Sequence, residues 1–216
     1  MKTIQKKDHG SGGIFLVLDG PDGCGKSTQC ALLAESLAAG GVETLLLRDP
    51  GGTAIGEKIR RILLDVENTA MSTAAEVLLY MAARAQLWRE RIQPALEENK
   101  DVILDRWVSS TWAYQGVAGG FGCGKVVTIA GESLPRVWPD LTIVLDVDLE
   151  TASKRLDRRL DRMERKAKSY HRNVRNAFLE LAGGREDFAA VDATRPIEAV
   201  HKQIIGILRE HFPERF

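Results

Sequence analysis

The chain has 216 residues, of which 44% are hydrophobic, enough for one α/β domain with a sizeable core. Positive and negative side chains number 30 each, so the overall charge gives no reason to expect a polyanionic partner such as nucleic acid. Three cysteines without a CxxC pair favour a reducing, cytoplasmic location, and no apolar run approaches the roughly 20 residues of a membrane-spanning helix. The polar residues 1–12 are predicted to be a flexible tail, which leaves 13–216 as a single domain.

Five short apolar segments are typical of strands buried in a parallel sheet. The first, residues 14–19, is an almost unbroken apolar run that stops at a glycine, as in a strand covered on both faces. The other four segments are residues 42–47, 101–105, 141–147 and 188–192. Helix-like segments lie between them, at residues 27–41, 74–99 and 196–212. This alternation predicts an α/β fold with a doubly wound sheet of about five parallel strands flanked by helices.

Two segments depart from this alternation. Residues 116–125, GVAGGFGCGK, contain five glycines in ten positions and are predicted to be a loop. Residues 154–175 contain ten lysines and arginines against three acidic residues. Such a run is usually the solvated face of an amphipathic helix. The alternative is an arginine-rich lid that closes over phosphates during their transfer.

Residues 20–27, GPDGCGKS, match the phosphate-binding pattern G-x-x-x-x-G-K-[ST]. They follow a predicted strand and precede a predicted helix, which is the context that the motif requires. Glycines there let successive backbone N–H groups turn toward phosphate oxygens, and the helix N-terminus adds its positive dipole end. The predicted ATP-phosphate contacts come from Gly20, Gly23, Cys24, Gly25, Lys26, Ser27 and Thr28. Lys26 is the expected catalytic cation on the β- and γ-phosphates, and Ser27 is an expected Mg²⁺ ligand.

Residues that follow the second and third strands indicate a second pocket. RDPGGT, residues 48–53, combines a cation with a rigid turn at the carboxyl edge of the sheet, where open α/β sheets bind ligands; an ordinary type II turn is the alternative. Asp105 and Arg106 end the third strand beside the phosphate loop. Asp105 is placed to hold Mg²⁺ directly or through water. The planar guanidinium of Arg106 can donate two hydrogen bonds to a phosphate monoester. A structural ion pair between these two is the alternative.

An aromatic residue and an arginine share one face of the predicted long helix. Tyr80 and Arg84 are four positions apart, a spacing that lets them sandwich and hydrogen-bond a base. A core position is the alternative for Tyr80. Together with the phosphate loop, these residues indicate a phosphotransferase whose acceptor is small, phosphorylated and aromatic.

Five motifs carry a family resemblance: DGPDGCGKST, RDPGGT, DRWVSSTWAYQG, LDRMERK and DATRPIEAVHKQI. Their order and spacing resemble those of the thymidylate kinases from residue 13 to the C-terminus. The resemblance implies a P-loop kinase fold with a short arginine-rich lid at about 154–168. It also implies transfer of the ATP γ-phosphate to dTMP, with Mg²⁺, in a homodimer. Gly23 stands where eukaryotic members carry an arginine, so the resemblance is to the bacterial type, whose catalytic arginine comes from the lid.

The resemblance implies roles for individual residues around the phosphates and the sugar. Arg48 and Arg106 resemble the ligands of the acceptor phosphate, and Asp105 matches the catalytic carboxylate. Asp22 resembles the acid that accepts a hydrogen bond from the 3′-hydroxyl of dTMP. Tyr114 matches the ring that crowds the 2′ position and so rejects ribonucleotides. For the catalytic lid arginine, the leading candidates are Arg158 and Arg159, followed by Arg155 and Arg162.

The resemblance also implies how the base is recognised. Tyr80 matches the aromatic residue that stacks on thymine, and Arg84 the arginine that reads the base edge. Thr111 and Gln115 match positions near the base. Two other functions remain open at this point: a different nucleoside monophosphate or deoxynucleoside kinase, and a P-loop regulatory switch without an acceptor.

Overall fold

The computed structural model describes residues 12–156 and 160–216, and these form a layered structure around one five-stranded sheet. The strands are β1 Phe15–Asp19, β2 Thr44–Arg48, β3 Asp101–Asp105, β4 Leu141–Asp146 and β5 Phe188–Asp192. They lie in the order β2-β3-β1-β4-β5, and every neighbouring pair is parallel. The predicted doubly wound sheet of about five parallel strands is therefore confirmed.

Helices connect the strands. They are α1 Lys26–Ala39, α2 Ala54–Leu64, α3 Thr73–Leu87, α4 Gln93–Glu97, α5 Val108–Thr111, α6 Cys123–Ser133, α7 Leu149–Arg155, α8 Lys168–Gly184 and α9 Ile197–His211. Two π-helical turns, Trp88–Ile92 and Trp112–Ala118, continue α3 and α5. The predicted long helix at 74–99 thus corresponds to α3, a π turn and α4 in succession. Across the described ranges, no helix is long and apolar enough to cross a membrane.

The position of β1 in the middle of the sheet explains why its sequence is apolar at nearly every position. Leu16 and Leu18 point into a core layer shared with α1 and α9. Phe15 and Val17 point to the opposite side, into a layer built by α3, α4 and the fully buried Trp107. Because helices cover both faces, neither set of side chains can be polar. The register places Leu18 beside Asp105, so the carboxyl ends of β1 and β3 meet at one edge of the sheet.

The glycine-rich segment 116–125 is mostly helical, so the predicted loop is wrong at most of its positions. The π turn runs to Ala118 and α6 begins at Cys123, which leaves only residues 119–122 outside helices. Helix propensity disfavours glycine, but Val126 and Ala130 are buried in the core and hold α6 in place. A Cβ on Gly116 would be in van der Waals contact with Cys123, 3.4 Å from its Cα.

The basic segment 154–175 divides into a connection and a helix. Lys154 and Arg155 belong to the last turn of α7, and α8 begins at Lys168. The helical interpretation therefore holds for the second part, whereas most of the predicted lid at 154–168 lies between the two helices. Arg158 and Arg159 lie outside the described residues, as does the predicted tail up to residue 11.

Candidate active site

A cavity of about 330 Å³ opens at the carboxyl edge of the sheet, beside the loop between β1 and α1. Its lining includes most of the predicted site residues: Asp22, Gly23, Gly25, Lys26, Ser27, Thr28, Arg48, Tyr80, Arg84, Asp105, Arg106, Thr111, Tyr114 and Gln115. The two predicted ATP-loop residues that are absent from this lining are Gly20 and Cys24. Further residues that the sequence analysis did not identify also line it: Asp49, Arg60, Ser110, Asp161 and Glu164. The topology thus brings together motifs that are far apart in the sequence.

The glycines of the phosphate loop are required for different reasons. Gly20, Gly23 and Gly25 have φ angles of 137°, 78° and 94°, which side-chain-bearing residues rarely adopt. A Cβ on Gly23 would lie 2.5 Å from the carbonyl oxygen of Ala152, and no non-glycine residue fits there. Gly25 faces open space and precedes α1, which has no side-chain cap. The α1 N-terminus therefore presents its first N–H groups in the arrangement that binds anions.

Lys26 and Ser27 extend from the first turn of α1 toward different partners. Lys26 Nζ donates to the carbonyl oxygens of Gly20 at 3.2 Å and Pro21 at 2.8 Å, so the ammonium lies over the loop. Ser27 Oγ donates to Asp105 Oδ2 at 2.6 Å. This pair offers one hydroxyl and one carboxylate oxygen, the hard donors that Mg²⁺ binds in small numbers beside waters and phosphates. The donor set therefore fits the implied metal.

The acid of the phosphate loop, Asp22, is paired within the protein. Its carboxylate accepts from the Arg106 guanidinium through one oxygen and from the Tyr114 hydroxyl, at 2.7 Å, through the other. Burial on its own would raise the pKa of Asp22, but the charges of Arg106 and Lys26 and the Tyr114 hydrogen bond hold that pKa below its ordinary value. Asp22 is therefore ionised at neutral pH, with its charge balanced by Arg106.

Arg106 is held firmly by both its backbone and its side chain. Its φ is 73°, in the left-handed region, a conformation that costs a non-glycine residue about 1–3 kcal/mol. Nη1 donates to Gly20 O at 3.1 Å and to Ser110 Oγ at 3.0 Å, and it lies 3.6 Å from buried Asp19. The guanidinium carbon is also 5.4 Å from the Tyr114 ring centroid. These contacts fix one cation at the junction of β1, β3 and the phosphate loop.

Arg84 joins three segments beneath the cavity. It donates to Asp49 Oδ2 at 2.6 Å, to Thr111 Oγ1 at 2.8 Å and to the Trp107 carbonyl at 2.8 Å. Its guanidinium carbon lies 5.5 Å from the Tyr80 ring centroid. Burial raises the pKa of Asp49 to about 6, and the charge of Arg84 limits that rise. Most donors of Arg84 are thus engaged within the protein, and its reading of a base stays a prediction.

Arg48 lies in a different environment from Arg106. Its side chain is 57% exposed, against 18% for Arg106, and its Nη2 pairs with Glu57 Oε1 at 3.2 Å. Glu57 is itself 42% exposed. The two predicted phosphate ligands therefore differ: one is fixed deep in the cavity and the other reaches in from its rim.

The thymidylate kinase family model matches residues 18–204. The chain belongs to the thymidylate kinase family. The thymidylate kinase of Thermoanaerobacter sp. (strain X514) is 42% identical over 201 residues, which cover 92% of this chain and 98% of that protein. That of Symbiobacterium thermophilum is 43% identical over 205 residues, covering 94% and 96%. The crystal structure of thymidylate kinase from Ehrlichia chaffeensis matches with a TM-score of 0.75 at 30% identity, covering 92% of this chain and 99% of that one.

These matches confirm the family resemblance drawn from the motifs. Four lid arginines were candidates for the catalytic role. The two that lie within the described residues, Arg155 and Arg162, both have partners outside the cavity. Arg155 Nη1 donates to the Ala193 carbonyl at 2.9 Å. Arg162 pairs with Glu76, a residue that the sequence analysis did not identify, and donates to the Leu63 carbonyl at 2.9 Å. Both arginines therefore hold neighbouring elements together.

Proposed function

We propose that this protein is an ATP-dependent thymidylate kinase that transfers the ATP γ-phosphate to the phosphate of dTMP, giving dTDP and ADP for dTTP synthesis. The observation that carries the proposal is that one cavity contains two sets of groups, each with its own contacts. Lys26 Nζ lies over the phosphate-loop carbonyls of Gly20 and Pro21, and Asp22 pairs with Arg106 and Tyr114. The first set suits a triphosphate, and the second suits a phosphorylated acceptor.

The reaction as we propose it depends on charge more than on a base. The nucleophile is an oxygen of the acceptor phosphate, whose second pKa is near 6, so it is largely dianionic at neutral pH. No strong general base is needed, and the main obstacle is repulsion between two anions. Lys26, Arg106 and Arg48 line the cavity as cations that offset this repulsion. Asp105 acts as a positioning group rather than as a proton acceptor.

Ser27 and Asp105 would hold Mg²⁺ in this proposal, either directly or through water. When bound, Mg²⁺ would supply positive charge that offsets the negative charge of the reacting phosphates. The hydrogen bond between Ser27 and Asp105 shows that the two side chains reach a common point at the carboxyl edge of β3. Both roles are proposals for this chain.

Acceptor recognition is proposed to use the other lining residues. Asp22 would accept from the 3′-hydroxyl of the sugar, and the Tyr114 ring would exclude a 2′-hydroxyl. Tyr80 would stack on the base, which Thr111 and Gln115 approach from the β3 side. Tyr114 is well placed for a steric role because Tyr170 of α8 donates to its carbonyl oxygen at 2.7 Å and so fixes its backbone.

Arg158 and Arg159 remain the proposed source of the catalytic lid charge. They lie outside the described residues, and the assignment rests on the family resemblance and on the engagement of Arg155 and Arg162 elsewhere. An arginine supplied to such a transition state is worth about 10³–10⁵ in rate.

A substrate panel tests the proposed function. ADP release is measured with ATP and Mg²⁺, with no acceptor and then with dTMP, dUMP, UMP, dCMP or AMP. We expect release to require an acceptor and kcat/KM to be highest for dTMP. One methyl group separates dTMP from dUMP and should be worth about 10–200-fold. Acceptor-independent release would indicate a regulatory switch, and preference for another acceptor would indicate a different nucleoside monophosphate kinase.

We also propose a cytoplasmic homodimer, which forms through an apolar surface on α2 and α3. Ile55 and Ile62 of α2 and Leu78 of α3 are 49%, 46% and 57% exposed. A Leu78→Glu variant should sediment as a monomer while the parent protein sediments at twice the mass of the chain, because a buried charge opposes association. Leu179→Glu, at an exposed apolar position on α8, is the matched control and should leave the dimer intact. Identical masses for the parent and the Leu78 variant would exclude this surface.

A further inference from the structure

A buried carboxylate with no role in the chemistry above lies between the acceptor cavity and the lid. Glu76, in the first turn of α3, is 1% exposed. One of its oxygens pairs with Arg162 Nη1, and the other accepts from Gln115 Nε2 at 3.0 Å. Lys166 Nζ lies 3.9 Å from it. One side chain therefore contacts both a cavity-lining amide and two cations of the lid segment 160–166.

The contact with Glu76 fixes the orientation of the Gln115 amide. A glutamine side chain has one donor end and one acceptor end, whereas a carboxylate can only accept. The NH₂ group of Gln115 must therefore face Glu76, and its carbonyl oxygen is directed away. Gln115 is 1% exposed and lines the cavity, so the amide has little room to turn without losing this bond. Glu76 therefore leaves the carbonyl oxygen of Gln115, and not its NH₂ group, available to a ligand.

The contact with Arg162 anchors the lid segment. Besides Glu76, Arg162 Nε donates to the Leu63 carbonyl at 2.9 Å, and its backbone N–H donates to the Leu64 carbonyl at 3.4 Å. The next two residues, Met163 and Glu164, line the cavity. A displacement of Arg162 would therefore also move part of the cavity wall.

We propose that Glu76 is a positioning residue with two linked effects, an inference that rests on the proposed function. It presents the Gln115 carbonyl oxygen to the acceptor base, and it holds segment 160–166 against α2 and α3. An exposed acceptor atom favours a base with a donor at N3, as in thymine or uracil. It disfavours cytosine, whose N3 carries a lone pair. Glu76 thereby contributes to acceptor selectivity without touching the acceptor.

The variant Glu76→Gln tests the orientation with almost no change of shape. Arg162 can only donate, so the new amide must keep its oxygen toward Arg162 and turn its NH₂ toward Gln115. Two NH₂ groups cannot bond, and the Gln115 amide should therefore invert. We expect the ratio of kcat/KM for dTMP to that for dCMP to fall by at least about tenfold. The KM for ATP should stay within twofold of the parent value.

A swap and a control make the test specific. In Glu76→Gln/Gln115→Glu, residue 115 again presents only acceptor atoms, and the dTMP:dCMP ratio should rise at least about tenfold above that of Glu76→Gln. The control Glu97→Gln alters a similar pair, in which Gln93 Nε2 donates to Glu97 at 2.8 Å on the exposed side of α4, and should change nothing. If Glu76→Gln does not melt cooperatively, the double variant Glu76→Gln/Gln115→Glu is measured in its place. A double variant that does not prefer dTMP over dCMP overturns the inference.

The outcomes separate this inference from the proposed function. If the parent protein does not phosphorylate dTMP, the function itself fails. If the parent prefers dTMP and Glu76→Gln keeps the parent ratio within threefold, or loses activity on both acceptors equally, only the inference fails. A merely structural role for Glu76 would lower the melting temperature and all rates together and would leave the ratio unchanged.

Discussion

Replacing Lys26 with methionine is expected to lower kcat for dTMP phosphorylation by about 10³ while the protein remains folded. Removal of one preorganised donor from a charged transition state costs about 10²–10³, and here a full positive charge is also lost. The side chain is only 7% exposed and its ammonium is held by two loop carbonyls, so it occupies a defined position over the loop. Methionine keeps the apolar stem in place. Steady-state kinetics at saturating ATP and dTMP measure the effect.

Lys58→Met provides the matched control for this prediction. Lys58 carries the same side chain on α2, where it is exposed and outside the cavity lining. Its loss should change kcat by less than twofold, and both variants should melt within a few degrees of the parent protein. A decrease of less than tenfold for Lys26→Met would contradict the assignment of Lys26 to the transferred phosphate.

Replacing Arg106 with methionine is expected to lower kcat/KM for dTMP by about 10³ while the KM for ATP stays within threefold. Two effects combine. The acceptor phosphate loses a charge-assisted partner, and Asp22 is left without its counter-ion beside an incoming dianion. Arg48→Met should cost only about tenfold, because Arg48 is half-exposed at the rim and screened by solvent. A larger effect at Arg48 than at Arg106 would reverse the proposed ranking of the two cations.

A double variant separates the two effects at Arg106. In Arg106→Met/Asp22→Asn the unpaired charge is removed, so part of the activity on dTMP should return relative to Arg106→Met alone. The effects of substituting two residues in direct contact are rarely additive. Here we expect the second substitution to restore activity that the first one removes. If the double variant is less active than Arg106→Met, then Asp22 contributes to acceptor binding more than its unpaired charge opposes it.

The sequence allowed the sheet and the phosphate loop to be predicted because both depend on local patterns. An apolar run bounded by glycine indicates a buried strand, and the G-x-x-x-x-G-K-[ST] spacing defines its own backbone geometry. Parallel strands share a carboxyl edge, so Asp105 and Arg106 could be expected near the loop. The individual contacts of Asp105 and Arg106 could not be predicted from these patterns.

The missed residues depend on partners far along the chain. Glu76 lies in the first turn of a helix, where an acidic residue is ordinary, and its partner Arg162 is 86 positions away. Asp49 lies in a turn motif, and its partner Arg84 is 35 positions away. No local period marks a buried ion pair of this kind. The glycine-rich segment was predicted wrongly because burial of Val126 and Ala130 in the core outweighs the low helix propensity of its glycines.

The contacts of Arg84 affect the entropy of binding. Asp49, Thr111 and the Trp107 carbonyl hold this side chain, and it holds them, through hydrogen bonds made within the protein itself. Immobilising a flexible side chain at an interface costs about 0.5–1.5 kcal/mol of conformational free energy. Arg84 is already ordered in the folded protein, so this free energy is lost during folding and not during binding. A ligand that contacts Arg84 therefore binds more tightly than it would if the side chain were free to move.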